Sequence, residues 1–222
     1  MVLVAVLAAV HVAVNLAGEN WQVWVLQYFS FIPSRLSGAV TGSPAGAGAW
    51  TFITYAFLHA DYVHLLSNCL WLVIFATPVA RRLGAGRTLL LLATSAIAGA
   101  AAMLPLHWGA FFTLVGASGA IAGAMAAAMP LMYAPGFSRG ALSLANLRPL
   151  RPIEILRDRN AIIFTAVFFG LQFWTGASQA VLGTAYLTES VIAWESHLGG
   201  FLAGLVAFYL LDRPASFQTP MV

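Results

Sequence analysis

The sequence predicts an all-α membrane protein with six transmembrane helices, and three observations predict it. Of 222 residues, 61% are hydrophobic and only 8% charged, with a mean hydropathy of +0.87. Soluble domains carry about a quarter charged residues, so lipid is the expected solvent. Six apolar stretches approach the roughly 20 residues a spanning helix needs. All ten basic residues are arginines, and they crowd onto alternate connections.

The apolar stretches are 2–17, 50–79, 88–106, 115–133, 161–174 and 192–211. The first reads as a retained helix or a cleaved signal peptide, and the lack of a basic residue before it favours retention. The second is long enough to include a non-spanning lead-in, and the fifth is short. Their connections are 18–49, 80–87, 105–114, 134–160 and 175–191, with a Gly-, Ser- and Pro-rich run at 38–48 that reads as turns. No internal repeat interrupts the pattern, so 1–222 reads as a single membrane domain with its core at about 50–211.

Arg81, Arg82 and Arg87 lie between the second and third stretches. Arg139, Arg148, Arg151, Arg157 and Arg159 lie between the fourth and fifth, and Arg213 follows the sixth. Only Arg35 falls on the other side. Positive charge stays cytoplasmic, which puts both termini and the two basic connections inside the cell. The run 148–159 reads as a solvated loop rather than a lipid head-group patch. A pI near 9.4 reflects scarce acids, so no nucleic-acid partner is expected. The single Cys69 excludes an internal disulfide and a cysteine-based metal cluster.

Polar groups at membrane depth are costly and point to function. Ser118 sits in Gly116-Ala117-Ser118-Gly119 at the start of the fourth stretch, and His197 opens His197-Leu198-Gly199-Gly200 in the sixth. A hydroxyl and an imidazole on facing helices suit a serine nucleophile and its base. His64 and Asn68, four residues apart on one helix face, offer hydrogen-bond donors to an anionic intermediate. The topology places all four in the outer half of the membrane. Gly119 with Gly123, and Gly200 with Gly204, form small-residue faces through which two helices can approach closely.

These runs together resemble the rhomboid family of intramembrane serine proteases. Gly116-Ala117-Ser118-Gly119 is similar to the family's nucleophile motif, His64 and Asn68 to its HxxxN pair, and His59 to the histidine five residues earlier. His197, Gly200 and Gly204 match HxxGxxxG, and Arg82-Leu83-Gly84-Ala85-Gly86-Arg87 resembles the segment after the second helix. The resemblance runs from about Trp50 to Gly204 and implies a six-helix rhomboid-like bundle. It implies a Ser118–His197 dyad, an oxyanion site made by His64, Asn68 and the Ser118 amide, and a turn permitted by Gly116. His59, Gly119 and Gly200 would support that site. It implies no cofactor and no metal. Its partners would be transmembrane protein substrates within membrane lipid. Three departures stand out: Thr51 where many members have Arg after Trp, Ala80 where Glu commonly precedes the basic pair, and Ala122 where some members stack an aromatic on the histidine.

Other candidates rank lower. Gly176-Ala177-Ser178-Gln179 repeats part of the nucleophile string but reads as a turn. His11 and His107 have no partner in sequence and read as packing or interface. Glu195 is two residues from His197, hence on another helix face, and reads as a rim charge rather than a third catalytic member. His59, His64 and His197 lack metalloprotease spacing for zinc. Trp174 suits the aromatic belt, or a lateral gate. The expected function is an intramembrane serine endopeptidase; the alternative is a catalytically silent relative that binds transmembrane helices. A transporter would want repeats and midplane charges. The lysine-free, Ala- and Arg-rich composition points to a bacterial plasma membrane.

Overall fold

Helices satisfy their own backbone N–H and C=O groups, as a chain in lipid requires, and the apolar stretches fold as helices. The computed structural model describes residues 1–38, 43–137, 144, 147–182 and 193–212. In chain order come α1 (Val2–Leu16), α2 (Glu19–Phe29), α3 (Ala47–Thr54), α4 (Tyr62–Leu83), α5 (Ala85–His107), α6 (Ser118–Met132), α7 (Pro152–Ile155), α8 (Arg159–Leu182) and α9 (Trp194–Leu211). Among the described residues there is no strand, only an isolated antiparallel bridge between Phe31 and Leu114. α4 and α5 are each long and apolar enough to cross a bilayer, while α1 and α6 are apolar but shorter. Arg139 and Arg213, which entered the orientation reasoning, lie outside the described residues.

Four boundaries differ from the sequence reading. The stretch 50–79 is two helices: α3 and a short 3-10 turn end at Phe57, and α4 begins at Tyr62. Asp61 makes the break, because its carboxylate accepts the His64 amide at 2.8 Å and caps α4. That same amide holds the Asp61 carboxyl below the usual carboxylate range. The connection 18–49 contains α2, whose Trp21, Trp24 and Tyr28 stack at 4.7 and 4.5 Å. α5 runs through Pro105 to His107. α8 continues to Leu182, so Ser178 is helical, not in a turn, and its hydroxyl bonds back to the Thr175 carbonyl.

α6 is the centre of the bundle. From Gly119 to Leu131 every residue but Met125 is buried, against α4, α5 and α9. Alanine and glycine allow this, since large side chains would hold the neighbours apart. A methyl on Gly200 would overlap the Gly119 carbonyl, and one on Gly204 would overlap the Gly123 backbone. α6 and α9 therefore touch backbone to backbone.

The arginine end is closed by a half-buried ion pair. Arg82 Nε and the second guanidinium nitrogen reach the two Asp212 oxygens at 2.6 and 3.0 Å. Its remaining nitrogen donates to the Leu144 and Leu147 carbonyls at 2.9 and 2.8 Å. Asp212 thus supplies an acid to the basic pair that Ala80 precedes. At the opposite end, Trp50 donates to the Tyr28 carbonyl at 2.7 Å, Thr54 to that of Phe29 at 2.7 Å, and Arg35 to those of Gln27 and Ser30. The 18–49 connection is tied down without an arginine at position 51. Thr51 is buried against its own helix.

Candidate active site

α6 has 15 residues, about 22 Å of helix, against a hydrocarbon core of about 30 Å. Its start therefore lies below the membrane surface when its other end reaches the interface. Non-helical backbone at such depth must be paired with protein. The segment leading into α6 meets that demand: Leu114 exchanges backbone bonds with Phe31, and the Gly116 amide donates to the Tyr55 carbonyl at 3.0 Å. Ser118 follows as the first residue of α6. Its amide belongs to the unpaired donors of a helix N-terminus, the positive end of the helix dipole.

His197 is in the first turn of α9. The glycine contact between α6 and α9 brings its Nε2 to 2.8 Å from Ser118 Oγ. On its other side, Nδ1 lies 2.7 Å from Oε1 of Gln172 on α8. Sequence reasoning missed Gln172. The signal was present, since it is the single polar side chain between Thr165 and Thr175 in an apolar helix.

His64 approaches the same place from α4, and Asn68 lies one turn further along that helix. A methyl on Gly116 would stand 2.7 Å from His64 Cε1 and Nε2, so the imidazole lies directly against the Gly116 backbone. Gly116 also has φ +118°, a conformation L side chains rarely adopt. Both facts require glycine. Asn68 is buried and spends one amide hydrogen on the His64 carbonyl at 2.8 Å; an amide nitrogen has a second to give. His59 stands edge-on to His64 with ring centroids 5.1 Å apart. The structure thus gathers Ser118, His197, His64 and Gly116 at one end of the bundle, with Asn68 one turn along α4 from His64. Gly119 follows Ser118 directly, Gly200 lies about one turn along α9 from His197, and His59 stands behind His64.

Three lesser candidates are corrected or refined. Glu195 is not an exposed rim charge: it is 8% exposed and pairs with His107 Nε2 at 2.9 Å, away from His197. The pair fastens the end of α5 to the start of α9 and gives His107 the partner its sequence context lacked. His11 is buried, with its ring edge-on to Tyr62 at 4.7 Å. Ala122 belongs to a buried cluster with Phe201, against which Phe168 and Phe169 pack, and Phe168 stacks on Phe201 at 5.0 Å. Aromatic packing at this level comes from α8 and α9 instead of position 122.

A hydroxyl bonded to an imidazole, beside a cluster of N–H donors, can accept an acyl group and stabilise an oxyanion. The model of the Rhomboid domain matches residues 46–214, most of the chain. The chain belongs to the rhomboid family of integral membrane proteins, which includes intramembrane proteases and inactive members. No curated protein matches the chain.

Proposed function

We propose that this protein is an intramembrane serine endopeptidase that cleaves membrane proteins in or beside their transmembrane segments, near the outer face. The observation that carries the reading is the 2.8 Å contact between Ser118 Oγ and His197 Nε2. A serine hydroxyl is a poor nucleophile until a neighbouring base takes its proton. Ser118 would attack the scissile carbonyl while His197 accepts its proton. The tetrahedral oxyanion would be met by donors from His64, Asn68 and the Ser118 amide. His197 would then protonate the leaving amine as the carbon–nitrogen bond breaks. Water, activated by the same imidazole, would release the acyl group and restore Ser118. No cofactor enters these steps.

In this reading α1, α4, α5, α6, α8 and α9 are the six spans of one membrane domain. Arg81, Arg82, Arg87, Arg148 and Arg151 face the cytoplasm with both termini, and Arg35 faces outward. The membrane is a bacterial plasma membrane, on composition. Labelling of single cysteines at 81 and 151 from the outside would break the topology.

A fluorophosphonate tests the reaction, because it reports an activated serine rather than any serine. Covalent label is expected at Ser118 in detergent, absent in Ser118→Ala and strongly reduced in His197→Ala. Ser178→Ala should label like the wild type. A folded protein that takes no label and cleaves no transmembrane substrate would leave the silent helix-binding relative as the better reading.

A further inference from the structure

From the geometry we infer that Gln172 is a positioning residue that selects the working tautomer of His197. The inference rests on the protease reading above. A neutral imidazole carries one hydrogen, on Nδ1 or on Nε2, and only the nitrogen without it can accept the Ser118 proton. Gln172 Oε1, 2.7 Å from Nδ1, is an acceptor with no hydrogen to give. With the amide oxygen facing the ring, Nδ1 carries the hydrogen, which turns the Nε2 lone pair toward Ser118 Oγ at 2.8 Å. The opposite tautomer would set Nδ1 against a carbonyl oxygen, lone pair to lone pair, and would donate to the serine instead of accepting from it.

The surroundings leave this task to Gln172. Ala122 offers no ring to hold the imidazole, and Glu195, the nearest carboxylate in sequence, is engaged with His107. α8 presents Val167, Leu171, Phe173 and Trp174 outward, while Gln172 between them is turned in. Phe168 and Phe169, about one turn earlier, meet Phe201 at 5.0 and 5.1 Å and key α8 onto α9. That aromatic contact fixes the rotation of α8 that aims Gln172 at the ring.

The test separates tautomer selection from packing. Gln172→Met keeps length and bulk but removes the acceptor. Its fluorophosphonate labelling rate and kcat should fall roughly ten- to a hundredfold, as when an orienting partner of a working histidine is lost, with KM little changed. Gln172→Glu restores an acceptor oxygen and should recover most of the lost rate. Nitrogen-15 spectra of histidine-labelled wild type, with His197 assigned by its loss in His197→Ala, should show the hydrogen on Nδ1; in Gln172→Met that preference should disappear. Wild-type labelling at Ser118 with an Nε2-protonated His197 would overturn the inference and leave the protease reading standing. So would unchanged rates in Gln172→Met, or an equal loss in Gln172→Glu. Absence of labelling in the wild type would defeat the protease reading itself. The spectrum of the wild type decides the tautomer even if Gln172→Met fails to fold.

Discussion

Gly200→Ala adds one methyl at the tightest point between α6 and α9. The new carbon would stand 2.7 Å from the Gly119 carbonyl carbon and closer still to its oxygen, where ordinary contact begins at 3.4 Å. The obstacle is backbone on a helix buried on all sides, so it cannot swing aside. α9 must retreat by on the order of 1 Å, and His197, one turn away, goes with it. A 2.8 Å contact stretched by that much is no longer a hydrogen bond. Misplacement of about 1 Å can cost roughly a hundredfold in rate, and overpacking of this kind costs about 1–3 kcal/mol of stability. Fluorophosphonate labelling and thermal unfolding in the same detergent measure both. Gly170→Ala on α8 is the control, since nothing lies within 4 Å of a methyl there; it should label and unfold like the wild type. Wild-type labelling and stability in Gly200→Ala would refute the claim that the glycine contact sets the Ser118–His197 distance.

His64→Ala and Asn68→Ala should each slow peptide hydrolysis, by up to about 100- to 1000-fold, the loss expected for one preorganised oxyanion donor, without lowering the unfolding temperature in step; unchanged turnover in the double variant would remove both from the mechanism. Arg82→Met should destabilise the protein by up to roughly 3–5 kcal/mol, because it leaves the half-buried Asp212 without its cation, and Arg82→Met with Asp212→Leu should recover part of that loss in denaturant unfolding. The Arg151 backbone amide and side chain, with Arg148 beside them, hold the Glu154 carboxyl down to about 2 from an ordinary 4.5. Its contribution to the 148–158 turn is therefore complete above about pH 4.5 and is lost as pH falls toward 2; amide exchange in that turn should quicken over that window in the wild type and show no such step in Glu154→Gln.

Much of the candidate site was legible because the residues proposed for it are marked by local spacing. A spacing of four positions from His64 to Asn68 places both on one face of any helix, and glycines near Ser118 and His197 mark a close approach whatever the exact packing. Segment ends were less legible. Hydropathy averages over the break at Asp61, because the five residues from Leu58 to Tyr62 are few beside the long apolar runs that flank them, and a capping hydrogen bond is a single-residue event. α2 escaped notice for a related reason: 11 residues are too few to register as a span. Gln172 was visible as a lone amide in apolar sequence. Its partner was not, since 25 positions separate it from His197 and no periodicity links helices that meet only in space.

The sequence by itself determined the solvent, the helical class and the family, because burying backbone in lipid leaves few alternatives and those constraints act within one segment at a time. It also singled out Ser118, His197, His64 and Asn68 as the side chains to which the proposed acyl transfer is assigned. Only the tertiary structure decided how these meet: that Asp212 balances Arg82, that Glu195 serves His107 rather than His197, and that an amide from α8 reaches the second nitrogen of the imidazole. Each of these joins groups on separate helices, and the join depends on the rotation and depth of two rigid rods. Those are settled by the summed packing of glycines, alanines and aromatic rings along their whole length, which no local run of residues encodes.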